Sequence, residues 1–359
     1  MARCTIIGMG HIGKALYADL NGRVDSLNGL DANHERVKAL REQGYRVSTD
    51  HTGCEGTDTW IITASTGLDM SNMLEIARSF VPAPGALVSV ESTLSVGTMA
   101  RLAAYYLSEG ISPGSDVYLV HAPHRVMFGH DHSTLSMPRV IGGITPECLA
   151  RGMSFYSQLG ASLVPVQDIR VAELSKLVEN SLRHVNIAFA EAIAVACSQA
   201  GMDFPALRSA VNTKGNVHLM DVDYGIGGEC LPKDIRLLQH FAGSPLFESA
   251  ILADRDYQRN LLDHAQQAGE KVLVRGITYK PGVPDVEHSL ALDLALALQD
   301  AGSSVEVYDP LVPPAEVLRL GLVPAEDPFN TQGYDIIIER GRIVHERLVA
   351  DVQDTGDRE

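Results

Sequence analysis

The chain's pattern predicts an α/β protein built around a doubly wound parallel sheet, followed by a helical centre and a second, smaller α/β unit. Three observations point there. An apolar, β-prone strand (Cys4 to Ile7) runs into Gly8-Met9-Gly10-His11-Ile12-Gly13 and then into helical spacing from Lys14 to Leu20. Short apolar segments then alternate with helical ones as far as Val120, the signature of strands joined by crossover helices. Residues 171–199 form one helical stretch without proline or glycine, and a strand–loop–helix unit begins afresh at Lys271. With 359 residues the chain is long enough for two or three cores. The expected divisions are 1–168, 169–262 and 263–359.

Composition narrows the function. Hydrophobic residues make up 45% and charged residues 21%, as in ordinary globular proteins. A formal charge of −16 argues against nucleic acid or an anionic membrane as the main partner, so an anionic substrate needs a local basic site. The five cysteines (4, 54, 148, 197 and 230) are scattered, without metal-ligand spacing, and suit a reducing compartment. No metal is expected. No secretory leader or apolar run of spanning length is visible, so the expectation is a soluble cytoplasmic protein.

The first turn fits a dinucleotide. Gly8 permits a tight turn, Gly10 lets a pyrophosphate approach the backbone, and Gly13 lets helix and strand pack closely, with His11 and Ile12 between them in the cofactor-binding turn. A second apolar stretch ends at Asp31, placed to hold both ribose hydroxyls and to repel a 2′-phosphate, which favours NAD over NADP. A helix follows from His34 to Glu42. Strands at Thr59–Ala64, Ala86–Val90 and Val117–Val120 lead to Ser65-Thr66-Gly67, Glu91-Ser92-Thr93 and His121-Ala122-Pro123-His124, segments at the cofactor edge of the sheet. Thr93 can position a water or the nicotinamide, or cap the next helix.

From Val171 to Gln199 the apolar residues are too many for a lone surface helix, which suggests packing between domains and against a second subunit. Lys176 and Asn180, at i and i+4, share one face. Helices at Phe204–Val211 and Pro245–Ala268 flank Tyr224 to Asp234, YGIGGECLPKD. A cysteine among glycines and a proline is poor core material, unlike Cys197 in AIAVACSQA. Lys233 favours the thiolate, the form that attacks carbon, and Asp234 can orient a partner or take a proton. The plain alternative is a glycine turn with an incidental thiol. The last part reads as a reduced Rossmann-like domain: strand Lys271–Gly276, a rigid loop at 279–284, helix Ser289–Ala301, and strands Val305–Tyr308 and Asp335–Ile338.

The segments GMGHIG, DANHER, ESTLSVGT, APHRVMFG, AELSKLVEN, GIGGECLPKD and GITYKPGVPD, in this order, resemble the UDP-glucose/GDP-mannose dehydrogenase family from Arg3 to about Tyr308. That resemblance implies two NAD-dependent oxidations of a nucleotide sugar's C6 alcohol to the acid, in a dimer or higher oligomer. It casts Cys230 as the nucleophile of a thiohemiacetal and then a thioester. Lys176 becomes the oxyanion-stabilising lysine, Asn180 a holder of alkoxide and water, Asp234 the activator of that water, and Thr93 its neighbour. Arg36 falls near the NAD ribose, with Ser65 and Thr66 on the cofactor side. Lys280 falls at the substrate phosphate or uridine, and Tyr224 and Gly227 on the substrate side of the cysteine loop.

The departures are specific. Pro123-His124 stands for the family's Pro-Glu, replacing an acceptor-only anion by an imidazole that serves as base or water anchor. Lys214 stands for an arginine that reaches the partner's substrate, and loses the bidentate fork. Glu287 reverses the arginine of Arg-Glu-Ser. The C-terminal domain is short: either its final strand is missing, or a βα unit is deleted and residues 336–342 are the last strand, with Arg340 or Arg342 as substrate arginine. The leading expectation is oxidation of a sugar nucleotide through Cys230. The alternatives are the same chemistry on a nucleoside or sugar phosphate, or a two-electron oxidation only, or a catalytically silent NAD-binding protein.

Overall fold

The structure is a computed structural model that describes residues 2–51, 53–67, 71–125, 133–280 and 282–346. The end of the APHRVMFG motif, Pro281 and the polar tail therefore lie outside the described residues. In chain order come β1 (Arg3–Ile7), α1 (His11–Leu20), β2 (Ser26–Leu30), α2 (His34–Glu42), β3 (Val47–Ser48), β4 (Thr59–Ile62) and α3 (Ser71–Arg78). They are followed by β5 (Ala86–Val90), α4 (Thr98–Ser108), β6 (Val117–His121), β7 (Arg139–Gly143), α5 (Pro146–Gln158) and β8 (Leu163–Val166). Among the described residues these strands form one sheet in the order β3-β2-β1-β4-β5-β6-β7-β8.

Strands β4 and β5 are buried at every position, as a sheet covered on both faces requires. Ile6, Leu16, Ile61, Leu87 and Val120 form the heart of this core. The sheet is parallel except where β7 runs antiparallel to β6, so the expected wholly parallel pattern stops there. The sequence reading passed over β7, and its glycines explain why. Glycine disfavours strands, but a Cβ on Gly142 would lie 2.9 Å from the Ile169 backbone, so helix and strand meet only without one. Strand order reverses between β1 and β4, the switch point at which a ligand crevice opens beyond the carboxyl ends.

The long helix is α6 (Ile169–Gln199), 31 residues. Then come α7 (Phe204–Val211), α8 (Cys230–Ala242), α9 (Pro245–Ala268), β9 (Lys271–Arg275), α10 (Leu290–Asp300), β10 (Ser304–Tyr308), α11 (Pro314–Arg319), β11 (Val323–Pro324), β12 (Ile336–Glu339) and β13 (Arg342–Glu346). The second sheet has the order β11-β10-β9-β12-β13. Strand β12 lies parallel to β9, the place of the fourth strand in a doubly wound sheet, and β13 returns antiparallel beside it. Residues 336–339 are thus the fourth strand of this sheet in chain order, whereas Arg340 lies in the turn and Arg342 on β13.

The chain divides into two compact units: residues up to 180 with 236–243, and residues 181–235 with those from 244 onward. Among the described residues no helix is long and apolar enough to cross a membrane.

Candidate active site

The turn after β1 is shaped by its glycines. Gly8 takes φ 95°, and a Cβ there would sit 2.5 Å from the Ala64 backbone. A Cβ on Gly13 would run into the Gly8 carbonyl, whereas one on Gly10 would meet nothing within 4 Å. Gly8 and Gly13 therefore serve packing, while Gly10, which starts α1 without a side-chain cap, borders open space. The exposed His11 and half-buried Ile12 follow it. At the end of β2, Asp31 accepts from the Met9 N–H (2.8 Å) and the Asn33 N–H (2.9 Å), and Arg36 Nη1 donates to both its oxygens (3.2 and 3.1 Å). Uncovered helix N–H groups, a rim without a Cβ and a fixed carboxylate acceptor fit the pyrophosphate and ribose of NAD.

Further along this edge Ser65 is exposed, but Thr66 is fully buried and donates its hydroxyl to the Thr93 carbonyl at 2.9 Å. This bond supports the Thr93 loop. Thr93 is half-buried, and Gly97 rather than Thr93 precedes α4, so the cap alternative falls. Buried Glu173 of α6 receives the Gly97 and Met99 N–H groups, both at 2.7 Å, and ties α6 to the start of α4.

His124 is buried, with Nδ1 2.8 Å from Glu91 Oε2. The same carboxylate receives Arg139 Nη1 at 2.6 Å and the Tyr156 hydroxyl at 2.6 Å. Burial pushes the Glu91 carboxyl up, but Arg139 and His124 overcome this and hold it at about 2. Burial lowers His124, and Arg139 and Lys176 lower it further against the pull of Glu91, so the ring is neutral near pH 7. That influence places the Lys176 ammonium within electrostatic reach of His124. Asn180 stands one turn beyond Lys176 on α6.

In the second unit, Cys230 is exposed and is the first residue of α8, not a loop residue as its Gly/Pro setting suggested. Pro232 explains the misreading. A proline in the first turn of a helix loses an N–H that has no partner there anyway. The sulfur consequently sits at the partly positive end of a helix, and Asp234, fully buried, lies one turn on. The preceding loop is held by the Ile226 N–H donating to Asp254 (2.8 Å) and the Gly228 N–H donating to the His288 carbonyl (3.2 Å). A Cβ on Gly227 would lie 3.1 Å from that carbonyl, so this glycine allows close packing.

Tyr224 is buried, and its hydroxyl lies 2.7 Å from the Arg275 carbonyl and 3.3 Å from that of Ile338, which ties it to the second sheet. Lys280 has its pKa lowered by partial burial and by the cation Arg183, and Lys214 is exposed after α7. Glu287 is exposed, while Arg342 pairs with Asp221 and Arg340 with Asp223 (3.9 Å).

Sequence reading missed Glu91, Arg139 and Tyr156, whose partners are distant in the chain, and Tyr279, which burial and the neighbouring Cys230 and Asp285 raise. It also missed Arg183, although that residue stands one turn beyond Asn180 on the same helix.

Residues 170–256 match the central-domain model of the UDP-glucose/GDP-mannose dehydrogenase family, and residues 273–339 match its UDP-binding-domain model. The NDP-N-acetyl-D-galactosaminuronic acid dehydrogenase of Ralstonia solanacearum is 27% identical over 381 residues, covering 93% of this chain and 89% of that protein. The UDP-N-acetyl-D-mannosamine dehydrogenase of Escherichia coli K12 is 28% identical over 345 residues, 82% of each chain. The solved UDP-D-ManNAc dehydrogenase of Pyrococcus horikoshii superposes with a TM-score of 0.80 at 25% identity, over 94% of this chain and 88% of that one.

Proposed function

The chain belongs to the UDP-glucose/GDP-mannose dehydrogenase family, and on that premise we propose that it oxidises the C6 primary alcohol of a nucleotide sugar to the carboxylate, through Cys230. The relatives make a UDP-N-acetylhexosamine the first substrate to try. The observation that carries this reading is Cys230 at the start of α8 with Asp234 one turn on, in a chain that also holds a complete dinucleotide turn. In functional terms we divide the chain into an NAD domain (1–168), a central domain (169–262) and a nucleotide-binding domain (263–359).

NAD, when bound, supplies the hydride acceptor for each two-electron oxidation. His124 takes the proton from the reacting hydroxyl. Lys176 holds developing negative charge on that oxygen, which a fixed cation does best where water is excluded. Asn180 donates to the same oxygen. Cys230 then adds to the aldehyde as a thiolate, and the thiohemiacetal becomes a thioester on the second oxidation. Asp234 and Thr93 position the water that releases the acid. Lys280 and Lys214 draw the substrate's phosphates against the chain's overall negative charge. Exposed Val171, Val178, Leu182 and Phe189 on α6 support a homo-oligomer, and the setting we assign is the cytoplasm.

A second reading, the same chemistry on a ligand with less phosphate, draws on exposed Glu287 and on the pairing of Arg342 with Asp221. One assay separates the two: NADH formed per substrate consumed, across UDP-, GDP- and dTDP-sugars and sugar phosphates. Two NADH per sugar nucleotide is the expected result, and one NADH would remove the thioester half. Cys230→Ala is expected to lower acid formation at least ~10³-fold, as loss of a nucleophile does. Unchanged acid production in that variant would overturn the covalent route.

A further inference from the structure

Glu91 holds His124 twice. Its carbonyl accepts the His124 N–H at 3.1 Å, and its carboxylate meets the ring Nδ1 at 2.8 Å. A carboxylate at about 2 has no proton to give at neutral pH, so the proton of this bond belongs to Nδ1. Arg139 Nη2, 3.5 Å from the same nitrogen, then faces another N–H and is a contact rather than a hydrogen bond. Tyr156 completes the shell: its hydroxyl donates to Glu91 Oε1 and lies 2.6 Å from the Ser89 hydroxyl. Glu91 is thus satisfied on both oxygens, with the Arg139 charge offsetting its own.

The ring's other nitrogen is different. Nε2 is buried and has no hydrogen-bond partner among the described residues. In the Nδ1–H tautomer it is a bare lone pair, an acceptor that is costly to bury unmatched. Glu91 on β5, Arg139 on β7 and Lys176 on α6 act electrostatically on the ring, while His121 on β6 and Tyr156 on α5 interact with Glu91. With Glu91 and Arg139 offsetting each other, Lys176 is the remaining cation among the described groups that act on the ring.

We propose that Glu91 is the positioning residue that locks His124 in its Nδ1–H tautomer, so that Nε2 accepts the proton of the substrate hydroxyl. This rests on the role given to His124 above. In the step the O–H bond breaks, its electron pair stays on oxygen, and an Nε2–H bond forms. The resulting imidazolium keeps its Nδ1–H bond to Glu91, now between opposite charges, until water takes the proton away.

The test is NMR of the whole protein carrying isotope-labelled histidine, with the His124 signal identified by its loss in His124→Gln. A neutral Nδ1–H ring is expected at neutral pH, with its protonation displaced to lower pH than that of a free imidazole. An Nε2–H tautomer, or an imidazolium at neutral pH, overturns the proposal. In kinetics, Glu91→Gln removes the charge that supports the imidazolium and is expected to lower kcat by ~10²-fold with KM nearly unchanged, and Glu91→Asp to restore part of it. A folded Glu91→Gln protein with the wild-type kcat and pH profile also overturns it. Should Glu91→Gln fail to fold, the wild-type spectrum decides alone. Should no sugar nucleotide be oxidised, the proposed function falls, and the tautomer by itself decides for or against Glu91.

Discussion

In the first unit the chain passes from β1 to α1 through residues 8–10, whereas in the second it passes from β9 to α10 through residues 276–289. Both are strand–loop–helix steps at the opening of a doubly wound sheet. The helix starts differ as much as the loops. Gly10 leaves the first N–H groups of α1 without a side-chain cap, while the Ser289 side chain accepts the Leu292 N–H and closes the start of α10. One architecture therefore offers an anion site made of backbone, and the other satisfies its own helix and presents the side chains of Tyr279 and Lys280 instead. On the proposed function, the same fold would bind with main chain in one place and with side chains in the other.

That contrast can be broken most sharply at Gly10. Gly10→Val points a branched side chain into open space, so the protein should fold with an unchanged Tm. NAD affinity should fall by ~10²-fold or more, because the phosphates lose their approach to the backbone. Calorimetry with NAD measures this, and near-normal binding would mean that the turn is not the pyrophosphate site.

A second contrast is the response to pH. Buried His121 is lowered to about 4 and Glu91 to about 2, so both bind protons more readily unfolded. The first unit should lose stability as pH falls below about 6.5, by roughly 3 kcal/mol from His121 before pH 4, and further below pH 4.5 as Glu91 joins in. In the second unit Glu191 is buried and raised to about 9, with Asp254 adding to the effect of burial. It keeps its proton folded and loses it unfolded, so that unit should weaken as pH rises from about 4.5 toward 9. Urea unfolding followed by Trp60, the single tryptophan, reports the first unit. Amide exchange in β9 and β12 reports the second, and parallel pH trends in the two would contradict this picture.

Lys280→Ala is expected to raise the substrate KM by ~10-fold, the worth of one charge-assisted contact, with NAD affinity untouched. Ser289→Ala is the mildest change, a loss of about 1 kcal/mol from an uncapped helix with both ligands bound as before. A fall in NAD affinity in either variant would blur the division between the two steps.

Local chemistry explains what could be read from the chain. Gly8, Gly10, Gly13 and Asp31 act within one strand–turn–helix–strand segment, so their spacing was enough. Glu91 finds His124 33 residues away and Tyr156 65 residues away, and no short pattern announces such a network. Cys230 reads as a loop residue but opens α8, since proline signals a break as readily as it opens a helix. Tyr224 and Thr66 lie beside motif residues, yet one hydroxyl is spent on the second sheet and the other on the Thr93 loop. Motif membership identified the neighbourhood, and burial decided the role.

The tight turn between β12 and β13 has a further consequence. Arg340 and Gly341 both take positive φ, and Gly341 lies so close to the Asp223 backbone that no side chain fits between them. The Tyr257 hydroxyl, 2.7 Å from the Asp223 carbonyl and 3.1 Å from that of Gly341, fastens the two together. This turn acts as a clasp on the segment that leads into Cys230. Shortening the chain to Glu339 would spare every parallel strand of the second sheet and still untie that segment. The hairpin thus serves the segment before the cysteine as well as the edge of its own sheet.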